Sequence, residues 1–285
     1  MANIRLIRRR IKGIGNIAKI TKAMEMIAAS RMRKAQERGL AGRPYSEKIT
    51  QVIASLAALP QAGETVHPLL ERRPVKKIAI LHITPDRGLC GGLVSNVNRK
   101  TMSFIAKQDV PVTLVTVGRK GFDIMRRYGR DIRAEFTKLG EKPAYLDTMP
   151  ISRIIIDDFA SGYVDAVYIA YTKFVSTMLQ QADIEQILPI QPAEIPAGQN
   201  VEYIYEPKAE MVLGSLLPRF VEMRVYHAIL ESIASEQSAR MVAMRNATEN
   251  AKELIDDLTL AYNKARQESI TAELLDITGG VAALS

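Results

Sequence analysis

The chain has 285 residues, 47% hydrophobic and 6% aromatic, with no tryptophan and one cysteine, which excludes a disordered chain and an intrachain disulfide. No apolar run approaches the roughly 20 residues that cross a bilayer, and Met1–Lys12 is too charged for a signal peptide, so a soluble protein of a reducing compartment is expected. Of the net +8, residues 1–38 alone hold +9, with eleven basic groups against Glu25 and Glu37; this arm is either a solvated helix face or the counterpart of something acidic, whether nucleic acid, anionic lipid or protein.

In chain order, residues 3–58 read as one long helix. Ile4, Ile7, Ile11, Ile14, Ile17, Ile20, Met24 and Ile27 recur at steps of three and four, a narrow stripe of coiled-coil type. Gly39-Leu40-Ala41-Gly42-Arg43-Pro44 predicts a kink or loop, after which the pattern resumes at Ile49, Val52, Ile53 and Leu56. Residues 75–206 change period. Val75–Ile83, Val112–Val117, Ile132–Thr137, Val164–Tyr171, Glu185–Ile190 and Val201–Tyr205 are short β-rich runs. Helical stretches separate the early ones, at about 92–107, 120–128 and 151–162. That alternation predicts a mainly parallel sheet covered by helices. The last two runs have no helix between them, so an antiparallel hairpin is expected to finish the sheet.

From Pro207 the helical period returns and is carried to Thr278 by Leu213, Leu216, Phe220, Met223, His227 and their successors at steps of three and four. Pro218 predicts a kink or restart, and Gly279-Gly280 a stop. The fold class is therefore α/β: a long antiparallel coiled coil of N- and C-terminal helices (1–58 and 207–285) with an inserted Rossmann-like α/β domain (59–206). If the helices enter that domain side by side, paired positions sum to about 265. Met24 then faces Met241, and Ile270, Leu274, Leu275, Ile277, Val281 and Leu284 have no internal partner.

Motifs for chemistry are weak. Gly13-Ile14-Gly15-Asn16-Ile17-Ala18 matches a dinucleotide fingerprint but lies inside a charged helical run with no strand before it, so close packing is the expected use of its glycines. Gly88-Leu89-Cys90-Gly91-Gly92 follows a strand and opens a helix, yet lacks phosphate-binding spacing; a tight turn is expected, with Cys90 a packing residue. His67, His82 and His227 are isolated, and Asp157 and Asp158 diverge by about 100° on a helix. No catalytic set, metal site or cofactor site is expected.

Three stretches carry a resemblance: Thr21–Lys34, with Lys22-Ala23-Met24-Glu25-Met26 at its head; Asp86-Arg87-Gly88-Leu89-Cys90-Gly91-Gly92-Leu93; and Ser235–Met244 with Tyr262–Gln267 and Ser269-Ile270-Thr271. In order and spacing they resemble the gamma subunits of F-type ATP synthases over residues 1–285. The resemblance implies a non-catalytic rotor shaft inside a ring of alpha and beta subunits, its foot on a membrane c-ring beside an epsilon subunit. Attachment to the membrane is then indirect, on the cytoplasmic face of a bacterial plasma membrane, with neither cofactor nor nucleic acid bound. It also implies roles. Lys22, Arg31, Arg33 and Lys34 match the region that passes acidic loops of beta, and Met24 and Arg240 the lower coupling contact. Arg266, Gln267, Thr271 and Glu273 match a beta contact near the top of the shaft, and Tyr203, Tyr205 and Glu206 the foot on c-ring and epsilon. The regulatory cysteine pair of plant chloroplast members has no counterpart here. Two other readings stay open on the residues alone. The basic arm suits a nucleic-acid-binding coiled coil, with a steep salt dependence. Residues 75–206 suit a nucleotide-binding α/β enzyme, which equilibrium dialysis against ATP tests.

Overall fold

The computed structural model describes residues 2–58, 67–191 and 209–284, so the expected strand Val201–Tyr205 lies outside the described residues. Two compact units divide the chain: Met1–Ala28 with Arg240–Ser285, and Ala29–Ala239. The terminal helices, α1 (Ala2–Ala58) and α5 (Ala209–Leu284), pack together and enclose a five-stranded α/β sheet in sequence.

In the first unit the two helices pair antiparallel. The Thr21 and Thr248 hydroxyls are 2.7 Å apart, and the Arg245 Nε donates to a Glu25 carboxylate oxygen at 3.1 Å. Paired positions therefore sum to near 270, about one helical turn from the expected 265. The buried stripe differs too. Ile17, Ile20 and Ile27, placed on the seam by their spacing, are 53%, 59% and 50% exposed, while Thr21, Glu25 and Ala28 are buried. The seam turns off the isoleucines after Ile14 because Ala18, Thr21, Glu25 and Ala28 keep the same steps of three and four one residue further on. Small and hydrogen-bonding side chains there let the helices approach, and hydrophobicity alone could not distinguish the two rows. In a Cys90→Ser background, cysteines at 21 and 248 are expected to form a disulfide almost completely under mild oxidation, and cysteines at 24 and 241 far more slowly, since a disulfide needs Cα atoms within about 7 Å. The opposite order on a non-reducing gel would restore the register near 265.

The second unit is built on strands β1 (Ile78–Ile83), β2 (Val112–Val117), β3 (Asp131–Phe136), β4 (Ala166–Phe174) and β5 (Gln180–Leu188). Their order is β3-β2-β1-β4-β5, parallel except for the antiparallel β4–β5 pair. An antiparallel finish was expected, but between later segments. Gln180-Gln181-Ala182-Asp183 reads too polar for a strand, and it forms one because it lies at the sheet edge, half exposed. Helices α2 (Leu93–Ile105) and α3 (Arg119–Arg127) cover one face, where Ile78, Ile80, Leu114 and Met125 cluster. The other face carries Ala79, Leu81, Val115 and Val167 against α4 (Tyr145–Ala160), Ile49 and Ile53 of α1, and Leu217, Val221 and Val225 of α5. Strand periodicity thus sorts alternate β1 residues into two cores. Helix α4 begins six residues before the expected Ile151, because the Asp147 carboxylate accepts the Ala144 N–H at 2.7 Å and closes the first turn ahead of Pro150.

Helix α5 has two buried faces in this unit, where the sequence reading gave it one seam. Its second face meets β4 through serines. β1 pairs with β4 only as far as Ala170, so the backbone of Thr172 has a free side. Ser232 accepts the Thr172 N–H at 3.3 Å and Ser235 donates to the Thr172 carbonyl at 3.0 Å, while Ser238 donates to the Thr177 carbonyl at 2.8 Å. Backbone groups that a neighbouring strand would satisfy are satisfied by a helix.

Three expected interruptions are absent. Helix α1 runs through Gly39–Pro44, and α5 runs through Pro218 and on past Gly279-Gly280. At Gly42 the reason is packing: a Cβ would stand 2.6 Å from Cε1 of His227, so glycine admits the imidazole against the helix backbone. Burial of that ring, with Arg224 nearby, holds its pKa below the ordinary histidine value. At Pro218 the missing hydrogen bond is offset by fully buried Leu217 and Val221 on either side. Glycine without a following proline lowers helix propensity by only about 1 kcal/mol and need not end a helix.

Candidate coupling surface

In the first unit, Lys22 is exposed and reaches Glu25 at 2.9 Å. Lys22 first, and Arg245 after it, hold the Glu25 carboxyl below the usual carboxylate range against the opposing effect of burial. This three-residue cluster crosses the helix pair, so Lys22 braces the seam as well as facing outward. Met24 is half buried. Ile17, Ile20 and Ile27 form an exposed apolar row on α1 beside it, and Met26, 60% exposed, stands about 100° round the helix from Ile27. Further along α5, Arg266, Gln267, Thr271 and Glu273 are all exposed, interleaved with Ile270, Leu274, Leu275 and Ile277 at 47–65% exposure. Apolar area of this extent left in water marks an interaction surface. Arg240 is buried, at 8% exposure.

In the second unit, Arg33 and Lys34 are exposed, while Arg31 is ion-paired with Glu141 of the loop before α4. That pairing spans 110 residues and no local pattern announces it. Tyr203, Tyr205 and Glu206 lie outside the described residues. The basic residues singled out from sequence thus divide into two braced cations, Lys22 and Arg31, three exposed ones with no ion pair among the described residues, Arg33, Lys34 and Arg266, and the buried Arg240.

The motifs that suggest nucleotide chemistry have structural occupants. Gly13 and Gly15 sit inside α1 with nothing within 4 Å of where a Cβ would stand, so the expected close packing is not made by the described residues of this chain. The loop after β1 is a tight turn, with Leu89 at φ 63° and Gly91 at φ 58°, and Cys90 is buried against Leu93 and Ala239. Asp86 of this loop accepts the backbone N–H of Arg119 at 2.9 Å and of Lys138 at 3.0 Å. The chain's own carboxylate therefore takes the anion position at the start of α3. In open α/β sheets ligands enter beyond the carboxyl ends of the strands. Here that crevice, lined by Ile83, Asp86, Gly118, Ile229 and Glu236, holds only about 50 Å³, against roughly 300 Å³ or more for a small-molecule site. His82, which sequence left without a role, is fully buried. Its Nε2 lies 2.8 Å from Asn98 Oδ1 and its Nδ1 3.1 Å from Thr101 Oγ1. Burial pushes its pKa down to about 4, so the ring is a neutral core strut.

Comparison with known proteins assigns this arrangement. Residues 3–284 match the family model described as ATP synthase. Over 285 residues the chain is 74% identical to the ATP synthase gamma chain of Dehalococcoides mccartyi (strain CBDB1), covering 100% of both chains. It is 49% identical to that of Roseiflexus castenholzii, covering 100% of this chain and 99% of the relative. Among solved structures, a chain of the Euglena gracilis mitochondrial ATP synthase (OSCP/F1/c-ring) matches at TM-score 0.70 and 21% identity, over 99% of this chain and 95% of that one. A chain of the Tetrahymena thermophila mitochondrial ATP synthase central stalk/c-ring matches at TM-score 0.61 and 24% identity, over 80% and 99%; at these identities the likeness is one of fold. With two close-paired terminal helices, an inserted sheet and full-length identity to named relatives, the chain belongs to the ATP synthase gamma chain family.

Proposed function

We propose that this chain, as the rotor of a bacterial F-type ATP synthase, turns with a membrane c-ring and drives the alpha and beta subunits of the catalytic head through their cycle. The observation that carries this reading is the exposed surface of the helix pair. A helix that leaves Ile17, Ile20 and Ile27 in water while burying Thr21 and Glu25 presents its apolar side outward. A sleeve that slides on such a surface gains from its burial without fixing one angular position, because apolar contact is non-directional. Arg33 and Lys34 add exposed charges whose pairs contribute under about 1 kcal/mol each, weak enough to be remade at every step. We assign Lys22, Met24, Arg31, Arg33, Lys34 and Arg240 to the lower contact with beta, Arg266, Gln267, Thr271 and Glu273 to the upper one, and Tyr203, Tyr205 and Glu206 to the c-ring and epsilon. The working division is 1–58, 59–206 and 207–285, on the cytoplasmic face of the plasma membrane.

The test is reconstitution. Purified chain mixed with the alpha and beta subunits of a Dehalococcoides relative is expected to yield one ATP-hydrolysing complex in which a bead on an exposed cysteine at Leu146 rotates stepwise. ATP turnover by the chain alone, in proportion to its concentration and after removal of beta, would refute the assignment.

A further inference from the structure

The amino-terminal edge of the sheet gathers cations, several of which have no ion pair among the described residues. Ile78 lies beside Val112 and Ala166, and Thr113 beside Asp131, so the segments entering β1 to β4 share one edge. Segments 71–77, 106–111, 127–131 and 161–165 together carry seven Lys or Arg against four Asp or Glu. Internal contacts take only part of this set. Arg73 pairs with Asp165 at 3.0 Å, and the Lys77 ammonium sits 3.6 Å over the Tyr163 ring. The Asp165 carboxylate is further committed to the backbone N–H groups of Lys76 and Lys77. Arg72, Lys76, Lys107 and Arg127 remain exposed, and Arg130 has a buried Nε with no hydrogen-bond partner among the described residues.

Neighbouring strands are about 5 Å apart and the Debye length at physiological salt is about 8 Å, so the fields of these cations add. Between them stand Val75, Tyr128 and Tyr163, exposed at 45%, 63% and 41%. Exposed cations with no ion pair among the described residues, in excess over the exposed Glu71, Asp109 and Asp131 of the same segments and interleaved with amphipathic tyrosines, suit the interface of an anionic bilayer, where the cationic groups meet phosphate and the rings sit at headgroup depth. We propose that this edge is a membrane-facing surface that engages anionic phospholipid headgroups. The choice of lipid as occupant rests on the proposed rotor reading, which brings the chain to a membrane complex; the row of cations itself does not depend on it.

The chain contains no tryptophan, so Tyr128→Trp in the full chain is a single fluorescent reporter at the edge. With phosphatidylcholine vesicles containing about 30 mol% phosphatidylserine at low salt, its emission is expected to shift to the blue and to be quenched by brominated acyl chains. Both responses are expected to vanish at about 0.5 M salt. Lys76→Gln, Lys107→Gln and Arg127→Gln together are expected to reduce the response to under about a quarter, by loss of the electrostatic attraction. Should that variant lose its helical circular dichroism, Arg72→Gln with Lys107→Gln replaces it. The proposal is overturned by vesicle binding with an unchanged reporter, which assigns the binding to the basic arm, by an equal shift on pure phosphatidylcholine, or by a larger shift with duplex DNA at equal phosphate. A chain that rotates in the reconstituted head but shows no reporter response keeps the rotor reading and loses this one.

Discussion

Replacing Gly118 by alanine is expected to lower the melting temperature by about 10 °C or more, the shift that a loss of about 4 kcal/mol produces in a domain of this size. Gly118 joins β2 to α3 with φ 90°, and a Cβ there would stand 1.8 Å from the Thr84 carbonyl oxygen and 2.7 Å from its carbon. Both are backbone atoms, so no rotamer change relieves the clash. The neighbourhood is held from several sides. The Gly118 N–H donates to the Phe136 carbonyl at 2.8 Å, and the Thr84 N–H to the Val117 carbonyl at 2.8 Å. The Gly121 N–H donates to the Thr84 hydroxyl at 2.8 Å. Moving the loop aside breaks these bonds; leaving it in place keeps the overlap and the left-handed backbone, which alone costs about 1–3 kcal/mol. Gly129→Ala is the control, with φ 63° but nothing within 4 Å, and is expected to lose only about 1 kcal/mol. Thermal unfolding followed by circular dichroism checks both, and a Gly118→Ala chain melting within a few degrees of the parent would show that the loop has room to give.

What could be read in advance follows from the range of each interaction. Val112–Val117 is legible because five of its six residues are β-branched, the sixth being Leu114, as suits a strand buried in a parallel sheet. The polar β5 and the early start of α4 are not, since the first depends on β4 beside it and the second on one carboxylate. The helix pair was legible as a pair from its period. Its seam was not, because exposed Ile17, Ile20 and Ile27 outweigh buried Thr21 and Glu25 on any hydrophobic count, and only Thr248 and Arg245 on the other helix reveal which row is inside. The candidate contact set shows the same limit. Spacing and resemblance named Arg31, Arg33 and Lys34 alike, and only the folded chain separates Arg31, held by Glu141, from the two that have no ion pair among the described residues.

That separation yields a graded expectation for coupling. Arg33→Glu with Lys34→Glu changes two exposed side chains, so the isolated chain is expected to keep its stability within about 0.5 kcal/mol. In the assembled synthase the same reversal sets like charges against the acidic beta surface proposed above. Each exposed pair contributes under about 1 kcal/mol, but reversal replaces attraction by repulsion at both positions, a swing on the order of 2 kcal/mol. Proton pumping per ATP hydrolysed is therefore expected to fall at least about threefold, with assembly intact, and to recover in part at raised salt as the repulsion is screened. Arg31→Glu behaves differently. It also sets a carboxylate against Glu141, so its defect is expected to include looser anchoring of the loop before α4, measurable as faster hydrogen exchange near residue 141. Adding Glu141→Arg restores the opposite charges and is expected to rescue that exchange without rescuing pumping. Vesicles carrying the reconstituted synthase, assayed together for ATP hydrolysis and acidification, decide the matter. Full pumping by the Arg33→Glu, Lys34→Glu complex would remove these two cations from the coupling path, and rescue of pumping by Glu141→Arg would make Arg31 a structural residue alone.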